Sequence, residues 1–252
     1  MEQKVDFKYE IVDVKGKSVL VTGGTTGIGR SIAILLAQRG ARVMIFGRHQ
    51  QELDAAMRDL HMVSSEAYGL TADSGKIEDV ERVFQEVDHQ FGGLDILVSN
   101  AALPAGSVVN TPSDEINYVI QTNLLGYLYF AKLATERMKA QGKGHIVIIG
   151  SMSAVVAEKG SSIYVATKAG LHGFAHSLRK EVNEMGIKVS LIEPGEVGSD
   201  MNPRSPEEQR KAQDEMMQMR SEDVAASVYY VLTQPERVDV VLVQIRPHLQ
   251  LI

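Results

Sequence analysis

Short apolar runs alternate with longer amphipathic stretches along nearly the whole chain. The runs are rich in Val, Ile and Leu and have the length of strands that are buried on both faces of a sheet. They predict strands over residues 18–21, 42–46, 67–71, 95–99, 144–149, 187–192 and 238–245. The stretches between them predict helices. The first ends near residue 40, a long one begins at residue 113 and includes at least residue 131, and the others span residues 50–60, 73–91, 162–185 and 221–234. Such alternation is typical of βαβ units, so we expect one parallel sheet of about seven strands with helices on both faces.

Residues 196–220 interrupt this regular pattern. The segment is polar, but it carries four methionines, Met201, Met216, Met217 and Met219. Methionine fills irregular gaps in a core, and flexible apolar side chains also suit a lid over a substrate site, so both interpretations stay open. Residues 1–16 form an N-terminal extension of uncertain structure. The length of 252 residues suits one large α/β domain, and we expect residues 1–252 to form it.

A glycine-rich turn separates the first predicted strand from the first predicted helix. It contains Gly23, Gly24, Gly27 and Gly29. Glycines let the backbone approach a bulky anion, and the following helix offers free N–H groups and the positive end of its dipole to a phosphate. The turn predicts the pyrophosphate site of a dinucleotide. The alternative, a turn that only connects a strand to a helix, must be decided by the rest of the chain.

Composition and charge exclude several classes of function. Apolar residues make up 44% of the chain and charged residues 23%, as in an ordinary globular protein. The net charge of −6 and the lack of a long basic run argue against nucleic acid as the main partner. The chain has no cysteine, which excludes disulfides, a thiolate nucleophile and a Cys-ligated zinc. His172 and His176 lie four residues apart on a predicted helix, but no nearby Glu completes a metalloprotease pattern, so we expect no metal.

The chain shows no sign of membrane insertion or export. No apolar run approaches the roughly 20 residues that span a bilayer. The first 16 residues mix both charge signs and lack the apolar core of a signal peptide. We therefore expect a cytoplasmic protein with no membrane partner.

Candidate functional residues follow the predicted strands. In an open parallel sheet, ligands bind beyond the carboxyl ends of the strands. This rule groups residues 23–29, Asp73, residues 100–102, Ser151 and residues 194–195 at one edge of the sheet.

Tyr164 and Lys168 lie four residues apart on a predicted helix and project toward this edge. A nearby cation favours the phenolate, so we expect Lys168 to lower the pKa of Tyr164 and make it an acid or base near neutral pH. Ser151 can orient a carbonyl oxygen by hydrogen bonding. Together the three side chains are suited to polarise and protonate a ketone.

Taken together, these motifs resemble those of the classical short-chain dehydrogenases/reductases, and the resemblance extends from Lys17 to Pro247. The family pattern T-G-x-x-x-G-x-G is matched at residues 22–29, and its Asn, Ser, Tyr and Lys tetrad is matched by Asn123, Ser151, Tyr164 and Lys168. Two positions depart from the usual pattern. Ala102 stands where the family usually has a glycine, so the close approach of the backbone must tolerate a methyl group, and Ser199 stands where the family more often has Thr. We expect neither change to abolish cofactor binding.

The resemblance implies a single-domain Rossmann-like, doubly wound fold and hydride transfer between a nicotinamide and a carbonyl or alcohol carbon. It implies that Tyr164 is the general acid/base, that Ser151 holds the substrate oxygen, that Lys168 binds the nicotinamide ribose, and that Asn123 keeps a water in a relay to Lys168. The predicted cofactor contacts are Gly23, Thr25, Thr26, Gly27, Ile28, Gly29, Arg48, Asp73, Ser74, Asn100, Ala101, Ala102, Tyr164, Lys168, Pro194, Gly195, Val197 and Ser199.

The end of the second predicted strand bears on the choice between NAD and NADP. NAD sites usually place an acidic residue there to hold the ribose 2′-hydroxyl, whereas NADP sites prefer Arg. Here the sequence reads Phe46, Gly47, Arg48, His49. A guanidinium can pair with a 2′-phosphate, so we predict NADP as the preferred cofactor, with NAD possible.

The sequence therefore predicts an NADP-dependent oxidoreductase acting on a carbonyl or secondary alcohol, a ketone or a 3-oxoacyl/3-hydroxy compound. The alternative is a nucleotide sensor of the same fold that catalyses no reaction. Such a protein is expected to lack part of the Asn, Ser, Tyr and Lys tetrad, whereas all four residues are present here. The substrate is a small molecule that the sequence does not identify. The family resemblance also implies a homo-oligomer, a tetramer or a dimer.

Overall fold

A computed structural model describes residues 9–202 and 204–251 and shows one sheet of seven parallel strands in the order 3-2-1-4-5-6-7. The first eight residues of the predicted N-terminal extension lie outside the described residues. The strands are β1 Ser18–Thr22, β2 Arg42–Gly47, β3 Ala67–Thr71, β4 Ile96–Ser99, β5 Gly144–Ile149, β6 Ile187–Pro194 and β7 Leu242–Ile245. The predicted α/β fold with a parallel sheet is confirmed.

Helices cover both faces of this sheet. They are α1 Gly27–Gln38, α2 Gln50–Val63, α3 Ile77–Phe91, α4 Ser113–Ile120, α5 Gly126–Gln141, α6 Ser153–Val156, α7 Ser162–Val182, α8 Pro206–Asp214 and α9 Ser221–Leu232. A π-helix, Gln121–Leu125, joins α4 to α5, and a short 3-10 helix, Asn183–Met185, follows α7. In the part of the chain that the structure describes, none of these helices combines the length and apolarity needed to cross a bilayer.

The alternation of side chains along the strands divides the core into two layers. In β1, Val19 and Val21 pack with α1, α2 and α9, whereas Leu20 packs on the opposite side with α3, α5 and α7. On that second side Phe46 and Phe130 stack with ring centroids 5.2 Å apart. All the strands but the edge strands are thus buried on both faces, which explains why they appear as nearly continuous apolar runs.

Two predicted boundaries move by four residues in the structure, and several others move by less. Helix α3 begins at Ile77 rather than at residue 73, because the intervening residues form a turn in which Lys76 N donates to Asp73 O at 3.0 Å. Strand β7 has only four residues rather than the eight predicted, because residues 235–238 turn and Val238 N donates to Pro235 O at 2.8 Å. In both places a backbone hydrogen bond between residues three apart closes a turn next to the regular element.

The Met-rich segment is anchored at its two ends and contains α8. Val197 and Met219 form a parallel bridge, and Leu249 N donates to Met216 O at 3.0 Å. Met219 is buried, whereas the other three methionines are 40–53% exposed. The segment therefore combines one buried methionine with three exposed ones.

Candidate active site

A groove of about 760 Å³ runs along the carboxyl ends of the strands. It brings together nearly all the predicted residues, namely Gly23, Thr25, Thr26, Gly27, Ile28, Arg48, Asp73, Ser74, Asn100, Ala101, Ala102, Ser151, Tyr164, Lys168, Pro194, Gly195, Val197 and Ser199. Two predicted residues do not line it. Gly29 lies beneath the turn, against Gly23 and Asn100, and Asn123 is fully buried behind Leu103.

The glycine turn is fixed to the end of β4 by a close backbone approach. Thr22 Oγ1 accepts hydrogen bonds from Asn100 N at 2.8 Å and Ala101 N at 2.9 Å. Gly23 has a φ of +62°, and a Cβ there would lie 2.8 Å from Ala101 Cα. A Cβ on Gly29 would overlap the carbonyl oxygen of Gly23. Glycine is therefore required at both positions, for backbone conformation at the first and for space at both.

This groove fits a nicotinamide dinucleotide. Gly23 and Gly27 carry no side chain where the turn lines the groove, and no side-chain cap bonds the first N–H groups of α1, which suits a pyrophosphate. Further along, Thr122 lines the groove, and its buried Oγ1 has no hydrogen-bond partner among the described residues. A buried polar atom without a partner is costly, and a bound polar ligand would satisfy it.

Arg48 and Asp73 line the end of the groove beyond β2 and β3, which we call the adenosine end after the cofactor contacts that the family resemblance implies, and Tyr118 contacts both residues. Arg48 Nη1 donates to the Tyr118 hydroxyl at 2.9 Å, and that hydroxyl donates to Asp73 Oδ2 at 2.7 Å. Gly75 N donates to Asp73 Oδ1 at 2.9 Å. Burial, reinforced by the bond to Asp73, raises the pKa of the Tyr118 hydroxyl. The two predicted residues are therefore coupled through a third that the sequence analysis did not identify.

At the opposite end of the groove, Lys168 and Tyr164 lie side by side. Lys168 is 2% exposed, and its Nζ donates to Ile149 O at 2.9 Å and lies 5.6 Å from the Tyr164 ring centroid. Burial lowers the pKa of Lys168 to about 7, although the negative charge of Glu193 opposes this shift. The buried lysine is thus close to losing its proton at neutral pH.

The predicted lowering of the Tyr164 pKa is wrong for this structure. Burial raises the pKa of Tyr164 to about 12, a hydrogen bond with Ser151 opposes the shift, and the negative charge of Glu158 adds to it. Lys168 does not counter the effect, because its Nζ bonds to the Ile149 carbonyl rather than to the phenol. The phenol is therefore protonated at neutral pH and next to a serine hydroxyl.

Asn123 lies in the π-helix, and its side chain is engaged by one backbone unit. Its Oδ1 accepts from Leu103 N at 2.7 Å, and its Nδ2 donates to Leu103 O at 2.8 Å. Leu103 lines the groove next to Ala102. The side-chain amide therefore holds the wall of the groove, and the water relay from Asn123 to Lys168 stays a prediction.

The substrate end of the groove mixes apolar and acidic side chains. Its lining includes Leu103, Pro104, Ala105, Ser153, Glu158, Glu196, Asp200, Met201 and Asn202. Ser153 N donates to Ser151 Oγ at 3.1 Å, and Ser153 Oγ donates to Glu158 at 2.8 Å. Glu196 accepts hydrogen bonds from Arg204 and, at 3.2 Å, from Gln218. Hydrogen bonds therefore hold both the serine that faces Tyr164 and the start of the Met-rich segment.

Glu193 is a second residue that the sequence analysis missed. It is fully buried, accepts from Gln244 Nε2 at 2.9 Å, and lies 2.7 Å from His172 Nδ1. A single carboxylate near the end of an otherwise apolar strand was the available signal. His172 also contacts His176, with ring centroids 4.8 Å apart, and the described residues contain no group of three or more His, Cys, Asp or Glu that could hold a metal.

Comparison with known proteins identifies close relatives over nearly the whole chain. A family model described as short chain dehydrogenase matches residues 17–210. An uncharacterized oxidoreductase of Staphylococcus aureus strain MRSA252 is 34% identical over 233 residues, which cover 92% of this chain and 97% of that protein. An uncharacterized oxidoreductase of Staphylococcus epidermidis is 32% identical over 235 residues, covering 93% of this chain and 98% of that protein.

Solved structures show the same fold. A short chain dehydrogenase from Burkholderia cenocepacia J2315 in complex with NADP has a TM-score of 0.84 and 31% identity, covering 94% of this chain and 98% of that one. A variant of actinorhodin polyketide ketoreductase with NADPH has a TM-score of 0.83 and 28% identity, covering 93% and 97%. The chain therefore belongs to the short-chain dehydrogenase family and is an NAD(P)-dependent oxidoreductase of that family.

Proposed function

We propose that the protein is an NADP-dependent oxidoreductase that interconverts a carbonyl compound and a secondary alcohol, of the ketone or 3-oxoacyl/3-hydroxy type. One observation carries the proposal: Ser151, Tyr164 and Lys168 line the groove that begins at the glycine turn, and Lys168 Nζ lies 5.6 Å from the Tyr164 ring centroid. A serine and a phenol that converge on one point are suited to hold and protonate a carbonyl oxygen.

Each side chain has a distinct role in this proposal. When bound, the dinucleotide supplies the hydride for carbonyl reduction. Ser151 holds the substrate oxygen by a hydrogen bond, and Tyr164 gives its proton to that oxygen, which develops negative charge as the carbonyl is reduced. Lys168 binds the nicotinamide ribose hydroxyls through its ammonium group. Asn123 keeps Leu103, and with it the wall of the groove, in place.

Replacing Tyr164 by Phe tests this function. The variant keeps the ring but loses the proton donor, so we expect NADPH binding within about threefold of wild type and a loss of turnover of at least about 100-fold. The assay is NADPH oxidation, with NADH in parallel, over a panel of ketones, aldehydes and 3-oxoacyl compounds. Tyr230→Phe is the matched control, because Tyr230 is 53% exposed on α9. Turnover retained by Tyr164→Phe contradicts the mechanism, and cofactor binding without any turnover by wild type favours a sensor.

Arg48 supports the preference for NADP. It lines the groove just after β2, where a carboxylate would repel a 2′-phosphate and a guanidinium attracts it. The two related structures described above contain NADP or NADPH. We expect Arg48→Asp to weaken NADPH binding by about 100-fold and NADH binding by less than about threefold. Arg58→Asp, an exposed arginine on α2, is the control for charge alone, and equal losses of both cofactors in Arg48→Asp contradict the assignment.

We also propose that residues 1–252 form one domain and that the protein is a homo-oligomer. Support for the first comes from the single seven-stranded sheet. The second follows the family resemblance and the position of β7, a sheet edge at which Leu242 is 37% exposed. Light scattering after size-exclusion chromatography tests the second proposal, and a monomer mass at micromolar concentration contradicts it.

A further inference from the structure

Tyr118 joins the two charged residues at the adenosine end of the groove. Its hydroxyl accepts a hydrogen bond from Arg48 at 2.9 Å and donates one to Asp73 at 2.7 Å. The direction of both bonds is fixed, because a guanidinium only donates and an ionised carboxylate only accepts. The Arg48 guanidinium also lies 5.9 Å from the Tyr118 ring centroid. A side chain from α4 therefore reaches residues that follow β2 and β3.

Arg48 is exposed, so its position depends on such a contact. A free arginine at a surface has many rotamers, and ordering it when a ligand binds costs conformational entropy. The hydroxyl and the ring of Tyr118 reduce that cost, because they hold the guanidinium at the groove before a phosphate arrives. Removing the hydroxyl should therefore affect a ligand that uses Arg48 more than one that does not.

Asp73 is held independently of Tyr118. Its second carboxylate oxygen accepts from Gly75 N at 2.9 Å, and its own N–H donates to Asp79 at 2.8 Å. Loss of the Tyr118 hydroxyl therefore leaves Asp73 with its backbone contacts. This asymmetry makes Arg48, rather than Asp73, the residue that depends on Tyr118.

Thr122 shows that the same helical face borders the ligand site. It lies four residues after Tyr118, lines the groove and is 5% exposed, and its Oγ1 lacks a hydrogen-bond partner among the described residues. Side chains at this spacing share one side of a helix. The side of the helix that carries Tyr118 therefore also carries Thr122, which lines the groove with an Oγ1 that a bound ligand can hydrogen-bond.

We propose that Tyr118 is a positioning residue for cofactor selection, which presents the Arg48 guanidinium to the 2′-phosphate of NADP. The inference rests on the proposed NADP preference and adds a residue to it. Discrimination between NADPH and NADH then depends on the pair of residues, with Arg48 making the contact and Tyr118 orienting it.

A double-mutant cycle on the intact protein tests this role. The variants are Tyr118→Phe, Arg48→Gln and the double variant, with Tyr230→Phe as the control for loss of an exposed tyrosine hydroxyl. Dissociation constants are measured calorimetrically for NADPH, NADH, adenosine 2′,5′-bisphosphate and adenosine 5′-phosphate, so the readout does not depend on turnover. Thermal unfolding of each variant verifies that it is folded.

We expect Tyr118→Phe to weaken NADPH and the 2′,5′-bisphosphate by about tenfold, and NADH and the 5′-phosphate by less than about threefold. In the Arg48→Gln background, the same tyrosine substitution should cost less than about twofold for every ligand, because the residue it orients is absent. This coupling distinguishes positioning from a general structural role, which would weaken all four ligands in both backgrounds.

Two further outcomes overturn the inference and are distinguishable from each other. If Arg48→Gln abolishes the preference for NADPH but Tyr118→Phe leaves it unchanged, the role of Tyr118 is wrong and the proposed function stands. If wild type binds NADPH no more tightly than NADH, the proposed NADP preference fails and the role of Tyr118 fails with it.

Discussion

The side-chain amide of Asn123 makes two hydrogen bonds with the backbone of Leu103: its Oδ1 accepts from Leu103 N at 2.7 Å, and its Nδ2 donates to Leu103 O at 2.8 Å. Asn123 is fully buried, whereas Leu103 lines the groove. An amide is the side chain that can accept from an N–H and donate to a C=O of one residue at the same time. The pair therefore connects the π-helix to the wall of the groove.

Asn123→Asp should destabilise the protein although the two side chains have nearly the same shape. The carboxylate cannot donate to Leu103 O, and it places a charge or an extra proton at a fully buried position. We expect the free energy of unfolding, measured in urea, to fall by about 2–4 kcal/mol. Asn117→Asp, an exposed change on α4, should cost less than about 0.5 kcal/mol. Similar losses for both variants would show that the Leu103 contact contributes nothing particular.

Lys168 should make stability depend on pH above neutrality. The pKa of Lys168 is about 7 in the folded protein, below the 10.5 of a free lysine, so the unfolded chain binds more protons between these values. Stability contributed by this group is therefore lost as pH falls from about 10.5 to about 7 and is constant below that. We expect Lys168→Met to abolish turnover. We also expect it to remove a difference of about 2 kcal/mol in the free energy of unfolding between pH 7 and pH 9.

Urea unfolding of the protein without cofactor at pH 7, 8 and 9 measures this difference. Lys132→Met, an exposed lysine on α5, should keep the wild-type slope. Parallel stability profiles of wild type and Lys168→Met would mean that the buried lysine keeps its proton throughout this range.

His145 should make stability depend on pH below neutrality. Burial lowers the pKa of His145 to about 3, with a smaller contribution from the positive charge of Lys188. Its Nε2 donates to Ser190 Oγ at 2.9 Å, because the Ser190 hydroxyl donates its own proton to Val240 O at 2.6 Å. The folded pKa is below the unfolded value of about 6.5, so stability is lost as pH falls below about 6.5.

His145→Gln keeps a side-chain donor but cannot be charged. We expect it to remove about 2 kcal/mol of the destabilisation that wild type undergoes between pH 7 and pH 5, measured by urea unfolding at both values. His248→Gln, an exposed change, should leave that difference as in wild type. An unchanged pH dependence in His145→Gln would assign acid destabilisation to other groups.

Much of the fold and the site could be predicted because the informative residues are local in sequence. Strands β3 and β5 begin and end where the apolar runs do. Residues that follow strands meet at one edge of a parallel sheet, so groove residues such as Gly23, Asp73 and Gly195 could be grouped without coordinates. The grouping of the candidate site residues therefore follows directly from the order of strands and helices along the chain.

The remaining features depend on contacts between distant residues. Tyr118 meets Asp73 across 45 positions of sequence, and its helical pattern indicates only a partly buried face. The π-helix around Asn123 is hidden because residues 113–131 satisfy an ordinary helical period. Burial is the main cause that raises the pKa of Tyr164, and the sequence reveals the neighbouring Lys168 but not the burial.

Gly29→Ala and Gly173→Ala should have opposite effects, although each adds one methyl group. At Gly29 the methyl would overlap the Gly23 carbonyl and lie 2.6 Å from Asn100 Nδ2, so the turn must open. We expect a loss of about 2–3 kcal/mol in the free energy of unfolding and a loss of NADPH affinity of at least about tenfold. Gly173 is an exposed position in α7 where an added methyl would have no described atom within 4 Å, and alanine there should stabilise by about 0.5–1 kcal/mol with unchanged NADPH affinity. Urea unfolding and calorimetric titration with NADPH measure both effects, and a Gly29→Ala variant that binds NADPH like wild type would refute the close-packed turn as the pyrophosphate site.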